Sequence, residues 1–335
     1  MKLLVVSNMY PSKTAPSYGV FVENFCKQLE ELGISYDLAV MRKENSKIKK
    51  LFAYASFYCK SFFRSLLGKY DIVYVHYASH SSPGVLLARK LRKFCIFTNC
   101  HGSDVIPNKP GQASMQKNTR AILSLSKKIV VPSEYFKRIV SQKYSIPGDK
   151  IFVCASGGVN TKLFRPLPPT QNTPHPFTIG FASRIIPGKG WDTLLKACAL
   201  LRDRDFRILL VGNGPEQETM LKMIDQLGLS QSVELPGLLP QQQLPDIHNR
   251  ADVFVFPTQL QESLGLVALE AMACGCPVIA SDFAAPADYV IDGVNGYKFP
   301  VGNAQALADV LQKFRTLPAQ QRAELKQGAF TTAQA

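Results

Sequence analysis

Short apolar runs alternate with longer amphipathic segments along the 335 residues of the chain. In the first half, the runs KLLVVS, YDLAVM, DIVYVHY, CIFTNCHG and KKIVVPS predict five strands with helices between them. In the second half, FTIGFAS, FRILLVG, SVELPG, DVFVFPT and PVIAS predict five more strands in the same alternation. Strands buried on both faces read as continuous apolar runs, so the pattern predicts parallel sheets covered by helices.

A proline-rich polar stretch, RPLPPTQNTPHP at 165–176, separates the two series of elements and is typical of a linker. We therefore predict an α/β fold of two doubly wound, Rossmann-like domains, 1–165 and 177–335, joined by the linker 166–176 and facing each other across a cleft. In such sheets, ligands bind at the carboxyl ends of the strands, beside helix N-termini.

Composition agrees with a folded protein, since 46% of the residues are hydrophobic. No apolar run is long enough to predict a signal peptide or a membrane span. The eight cysteines are scattered and form no CxxC pair, which predicts reduced thiols in a cytoplasmic protein.

The net charge of +14 is divided unevenly along the chain. Residues 1–165 contain 26 Lys and Arg against 9 Asp and Glu, a charge of +17, whereas residues 166–335 contain 13 against 16, a charge of −3. This asymmetry predicts that the first half faces a polyanion, which could be a membrane surface, a nucleic acid or a phosphorylated substrate.

Residues 47–70 combine six Lys and Arg with no Asp or Glu. Apolar residues such as Ile48, Leu51, Phe52 and Phe62 recur near helical spacing, and further aromatic residues widen that side. Such a helix is a candidate for binding an anionic membrane surface. The alternative is a helix packed on the sheet with a solvated basic face.

Two glutamates, Glu262 and Glu270, lie eight residues apart in ESLGLVALE. We expect a helix that starts at about 263–265, and an ideal helix would separate the two carboxylates by about 12 Å. That distance is too long for a shared proton transfer but suits a grip on two parts of one ligand. A carboxylate accepts hydrogen bonds from vicinal hydroxyls, so Glu270 suits a ribose and Glu262 a sugar.

Three other motifs follow strands or precede helices. In SRIIPGKG, Arg184 and Lys189 precede a helix N-terminus and make a candidate diphosphate site, the alternative being a solvated loop. Gly19 opens a helix where an anion could approach the backbone amides. His101 follows the strand CIFTN and is either a residue of the cleft or an ordinary loop residue.

Two further motifs favour structural explanations. VGNGPEQE, at 211–218, lacks the third glycine of a dinucleotide fingerprint and predicts a tight turn between a strand and a helix. The aspartates of DRD, at 203–205, fit a charged turn better than a metal site, because no other carboxylates cluster near them in the sequence.

In combination these motifs resemble the retaining glycosyltransferases of family 4, which have the GT-B fold. The resemblance runs in order over nearly the whole chain: the loop ending at Gly19, HGSD, GGVNTKLFRP, SRIIPGKG, LLVGNGP, ADVFVFPT and ESLGLVALEAMACGCPVIAS. It implies transfer of a sugar from a nucleotide-diphosphate sugar, with retention of anomeric configuration, without a metal ion and without another cofactor.

The resemblance also implies a role for each matching residue. Glu270 would hold the donor ribose and Glu262 the hydroxyls of the transferred sugar. Arg184 and Lys189 would neutralise the diphosphate, with the backbone at Gly19 close to it. His101 would contact the sugar near its reacting carbon, which makes His101, Glu262, Arg184 and Lys189 the expected catalytic residues. Leu266 would lie near the nucleotide phosphates or ribose.

The leading hypothesis is a cytoplasmic enzyme, peripheral at the inner face of the plasma membrane, that acts on a lipid-linked or cell-surface polysaccharide acceptor. Relatives continue into a helix that crosses back onto the first domain, and we expect that element to be short or missing here. The alternatives are a non-catalytic module that binds membranes or, less in keeping with the motifs, nucleic acid, and an epimerase or phosphorylase of the same architecture.

Overall fold

The computed structural model describes residues 1–16, 18–108, 110–155, 158–168 and 175–335. The chain divides into two compact units, Met1–Gly158 and Val159–Ala335. The predicted linker 166–176 falls in the second unit, and its residues 169–174 lie outside the described residues, as does Gly157 of the GGVN motif.

The described residues of the first unit form one parallel sheet with helices between its strands. Its strands are β1 (Lys2–Ser7), β2 (Ser35–Val40), β3 (Ile72–His76), β4 (Ile96–Asn99), β5 (Lys128–Val131) and β6 (Ile151–Val153), in the order β2-β1-β3-β4-β5-β6. Its helices are α1 (Val20–Glu31), α2 (Lys47–Leu67), α3 (Ala78–Ser81), α4 (Pro83–Leu91), α5 (Pro110–Ala113), α6 (Gln116–Leu125) and α7 (Glu134–Tyr144).

The second unit contains another parallel sheet. Its strands are β7 (Phe177–Ala182), β8 (Phe206–Val211), β9 (Val233–Gly237), β10 (Val253–Phe256), β11 (Val278–Ser281) and β12 (Gly296–Phe299), in the order β12-β11-β10-β7-β8-β9. Its helices are α8 (Trp191–Ala199), α9 (Gln217–Gln226), α10 (Leu244–Arg250), α11 (Leu266–Ala273), α12 (Pro286–Tyr289), α13 (Ala304–Arg315) and α14 (Ala319–Gln334).

Each sheet is buried on both faces, as its apolar strands predict. In β1, Leu4 and Val6 belong to one hydrophobic cluster, whereas Leu3 and Val5 belong to the cluster on the opposite face. Side chains alternate across a strand, so a continuous apolar run supplies both clusters at once. The predicted α/β fold with two parallel sheets is confirmed.

Two strands, β6 and β12, were not predicted from the sequence, and each is the last strand at one edge of its sheet. β6 has three residues, and the side chain of its central Phe152 is 62% exposed. β12, GYKF, begins with a glycine and contains a lysine. An edge strand with a partly solvated surface lacks the unbroken apolar run that identifies the buried strands.

The topology marks one position in each sheet. In the first sheet, β1 lies between β2 and β3, and in the second, β7 lies between β8 and β10. At these switch points, the loops after neighbouring strands leave in opposite directions and open a crevice at the carboxyl ends. The first switch point lies at Ser7 and His76, which are register partners.

Helix α2 has one face that packs against the protein and an apolar face that is exposed to solvent. Phe57, Ser61 and Ser65 are buried on the face that packs against α4. The residues Ile48, Leu51, Phe52, Phe63 and Leu67 are between 55% and 72% exposed. The predicted helix is therefore present. Much of its apolar stripe faces solvent, however, and the close contact with α4 is made by the small side chains of serines.

Among the described residues, no helix combines the length and the apolar character that crossing a bilayer requires.

Candidate functional site

The predicted diphosphate loop lies at the switch point of the second sheet. The loop after β7 carries Arg184 and Lys189 and leads into α8, whereas the loop after β10 carries Glu262 and leads into α11. The backbone N–H of Gln259 donates a hydrogen bond of 2.7 Å to the carbonyl of Gly188 and ties the two loops together. Two segments that are far apart in the sequence thus form one surface, next to the N-termini of two helices.

Lys189 and Glu262 are paired at this surface. The Lys189 Nζ atom lies 2.5 Å from Glu262 Oε1, and Thr258 Oγ1 lies 3.3 Å from the same oxygen. The two charged side chains are only 14% and 20% exposed, so solvent screens their attraction weakly. The expected phosphate cation and the expected sugar-binding carboxylate therefore neutralise each other.

Arg184 differs from Lys189 in its surroundings. Its side chain is exposed, and within the described residues its guanidinium has no hydrogen-bond or ion-pair partner. Leu266 is the first residue of α11 and is 37% exposed. The Arg184 guanidinium and the amide ends of α8 and α11 can therefore bind an anion at this surface in addition to Lys189.

Glu270 lies inside α11 and is 9% exposed. Gln241 Nε2 donates a 3.0 Å hydrogen bond to Glu270 Oε1, and burial raises the pKa of the carboxyl to about 7. The helix was predicted to start at about 263–265, but α11 begins at Leu266, one to three residues later. Glu262 therefore precedes the helix, and the ideal-helix distance does not apply to this pair.

Gly265 fixes the path between Glu262 and α11. Its φ is +82°, and a Cβ atom there would lie 2.8 Å from the Phe256 ring. The Tyr289 hydroxyl also donates a 3.4 Å hydrogen bond to the Gly265 carbonyl. A side chain at this position would require both a strained backbone and a shift of the last residue of β10.

In the first unit, His101 lies two residues after the end of β4 and is half-buried. The Phe21 ring, in the first turn of α1, lies 4.3 Å from the His101 ring. Burial lowers the pKa of His101 to about 3, so the imidazole is neutral near pH 7. His101 can therefore donate or accept a hydrogen bond at this pH but does not supply a positive charge.

Gly19 caps the N-terminus of α1 with a φ of +79°. A Cβ atom at this position would lie 2.6 Å from the Met9 carbonyl carbon. The close approach of the loop after β1 therefore requires a glycine here, independently of any anion. Gly19 also sets the start of α1, and so the place of Phe21 against His101.

Asp104 lies next to His101 in the first unit, and the sequence did not single it out as a functional residue. It is fully buried and accepts hydrogen bonds from the backbone N–H groups of Ala78, His101 and Gly102 at 2.9, 3.1 and 2.8 Å. Burial raises the pKa of Asp104, although these backbone N–H groups oppose the shift. The Asp104 carboxylate joins the loops after β3 and β4. The position of this aspartate three residues after His101, in HGSD, is the sequence feature that could have identified it.

The motifs VGNGPEQE and DRD, for which the sequence favours a structural role, both make contacts that stabilise the fold. Glu216 precedes α9 and accepts a 3.0 Å hydrogen bond from the indole N–H of Trp191, the first residue of α8. Asp203 pairs with Arg315 at 2.7 Å, and Asp205 lies 4.0 Å from the same guanidinium. The DRD segment therefore anchors the end of α13.

Two family models match the chain. The model described as Glycosyltransferase Family 4 matches residues 19–162, and Glycosyl transferases group 1 matches residues 168–331. The GDP-mannose-dependent alpha-(1-6)-phosphatidylinositol monomannoside mannosyltransferase of Mycolicibacterium smegmatis is 39% identical over 122 residues, 34% of this chain and 32% of that protein. The D-inositol 3-phosphate glycosyltransferase of Frankia alni is 27% identical over 277 residues, 75% of this chain and 67% of that protein.

These alignments span from about a third to about two thirds of the relatives' own lengths. The crystal structure of Anabaena HepE in complex with UDP is similar in fold, with a TM-score of 0.74 and 20% identity, over 99% of this chain and 94% of that chain. The two family models together cover nearly the whole sequence, and the fold agrees with them. The chain belongs to glycosyltransferase family 4, the glycosyl transferases group 1, and has the GT-B fold.

Proposed function

We propose that this protein transfers a sugar, with retention of configuration, from a nucleotide-diphosphate sugar to a lipid-linked or cell-surface polysaccharide acceptor at the inner face of the plasma membrane. The observation that supports it most is the charged surface at the second switch point, where Lys189, Arg184 and Glu262 meet two helix N-termini. Glu270, at the buried side of α11, completes the donor site.

In this proposal the donor diphosphate takes over Lys189 from Glu262. The released carboxylate then accepts hydrogen bonds from hydroxyls of the transferred sugar, and Arg184 adds a second cation to the diphosphate. These charges stabilise the nucleoside diphosphate as it leaves, an electrostatic contribution to catalysis. Glu270 accepts hydrogen bonds from the ribose, and neutral His101 contacts the transferred sugar.

A donor panel tests this assignment. A donor that binds the folded state and not the unfolded state stabilises the protein, by about 2.7 kcal/mol when the donor concentration is a hundred times the dissociation constant. We expect one of the UDP-, GDP- or ADP-sugars to raise the melting temperature in a thermal-shift assay at millimolar concentration. If every donor left the melting temperature unchanged, the donor site would be refuted and a non-catalytic module favoured.

The acceptor side of the proposal is supported by the exposed apolar face of α2. Leu51 and Phe52 are 70% and 69% exposed, and Lys49 and Lys60 are exposed on the same helix. The whole first half carries a charge of +17. Apolar side chains beside cations match the acyl boundary and the headgroups of an anionic membrane. The name of the mycobacterial relative also includes a lipid, phosphatidylinositol monomannoside.

Flotation with vesicles tests the membrane assignment. At low salt, we expect the protein to float with phosphatidylglycerol vesicles and not with phosphatidylcholine vesicles. The variant L51E/F52E should bind at least tenfold more weakly, because each apolar side chain contributes about 1.5–3 kcal/mol when buried.

Leu238→Glu is the matched control, since Leu238 is 70% exposed in the second unit. It should float as the wild type does. Absence of flotation at low salt, or equal losses in L51E/F52E and L238E, would contradict membrane binding through α2.

A further inference from the structure

A second histidine lies behind His101 at the switch point of the first sheet. His76 is the last residue of β3 and is 1% exposed, whereas His101 is half-buried. His76 Nδ1 lies 3.1 Å from His101 Nε2, and the planes of the two rings are 22° apart, so the rings meet edge to edge. His76 is therefore too buried to reach a substrate itself, and its polar contact is with His101.

The surroundings of His76 fix its position. The Phe25 and Tyr74 rings lie 4.8 and 4.9 Å from its ring, and Phe21 lies on the side toward His101. Burial lowers the pKa of His76 well below its ordinary value, and His101 adds to this effect. The contact is thus a hydrogen bond between two neutral rings, in which one nitrogen donates and the other accepts.

The direction of that hydrogen bond follows from the other His76 nitrogen. Within the described residues, His76 Nε2 is buried and has no hydrogen-bond partner. If His76 accepted from His101, this nitrogen would carry an unpaired buried N–H, an arrangement that is rare in proteins. If His76 Nδ1 donates, only a lone pair remains unsatisfied. His76 therefore donates to His101 Nε2.

From this geometry we infer that His76 is a positioning residue for His101. It holds the His101 imidazole in one orientation and in one tautomer, with the proton on Nδ1. His101 then contacts the transferred sugar as a hydrogen-bond donor, a step that rests on the proposed function. The tautomer itself does not rest on it.

Three variants separate positioning from packing. The amide of asparagine reaches the place of a histidine Nδ1, whereas the amide of glutamine reaches the place of Nε2. His76→Asn can still donate to His101, but His76→Gln and His76→Leu cannot. His248→Leu is the control, because His248 is also fully buried and its ring nitrogens lack hydrogen-bond partners in the part of the chain that the structure describes, but it lies in the second unit.

The tautomer can be read in the free protein labelled with ¹⁵N-histidine, from two-bond ¹H–¹⁵N correlations assigned with His101→Gln. We expect His101 Nε2 to be unprotonated in the wild type, H76N and H248L, and to gain a proton in part of the molecules in H76L and H76Q. With the donor found in the panel, kcat/KM should fall about tenfold in H76L and H76Q and remain near the wild-type value in H76N.

A protonated His101 Nε2 in the wild type, or the same tautomer in H76N and H76Q, would overturn the inference. If H76L fails to fold, the comparison of H76N with H76Q still decides. A change of tautomer in H76Q without a fall in kcat/KM would support positioning by His76 and contradict the proposed role of His101.

Discussion

Replacing Lys189 by alanine should lower kcat about a hundredfold or more, with a smaller effect on the affinity for the donor. The cation is proposed to stabilise the charge that develops on the leaving nucleoside diphosphate, and losing one preorganised group of this kind costs about 10²–10³ in kcat. The measurement is the initial rate of nucleoside diphosphate release in the presence of acceptor-containing membranes.

Lys196→Ala is the control for this variant. Lys196 lies on α8, close to Lys189 in sequence, and pairs with Asp192 at an exposed position. It should keep the wild-type kcat. Because K189A also leaves Glu262 without its ion-pair partner, the melting temperature of K189A should be compared with that of K189A/E262A. Wild-type turnover by K189A would contradict the proposed role of Lys189.

The affinity for the donor should rise with pH through the titration of Glu270. Its pKa is raised to about 7, and the proposed ribose contact needs the ionised carboxylate. About a tenth of the molecules are ionised at pH 6 and about nine tenths at pH 8, so the dissociation constant should fall about tenfold over this interval. Titration calorimetry at pH 6, 7 and 8 measures it.

Glu270→Gln should remove this pH dependence, weaken binding at pH 8 and stabilise the protein there. The folded-state pKa lies above the ordinary 4.5, so the stability that the neutral carboxyl contributes is present below about pH 4.5 and is lost as the pH rises through 7. A shift of this size corresponds to at most about 3 kcal/mol. At pH 5 the difference in melting temperature between the two proteins should be much smaller than at pH 8. A wild-type pH dependence in E270Q would refute the assignment.

The buried parts of the fold were predictable, because continuous apolar runs identify strands that are covered on both faces. The pattern is ambiguous in the helix predicted within residues 47–70. An apolar stripe in the sequence does not say which side packs, and in α2 the close contact uses Ser61 and Ser65. Glycine and serine contribute to packing through their small volume, which hydrophobic periodicity does not register.

The sequence predicted individual residues of the candidate sites but not the contacts between them. The sequence suggested Lys189 for a phosphate and Glu262 for a sugar, but their contact depends on two loops 73 residues apart in the chain. The same holds for His76 and His101, which are neighbours because β3 pairs with β4. Strand order brings these residues together, and no local spacing encodes it.

The most direct test of a donor site at the second switch point is a calorimetric titration of the nucleoside diphosphate selected by the donor panel. At pH 8 we expect one molecule to bind per chain, with weaker binding in Arg184→Ala and in E270Q and wild-type binding in K196A. Equal affinity in all four proteins, or no binding to the wild type, would contradict the donor site.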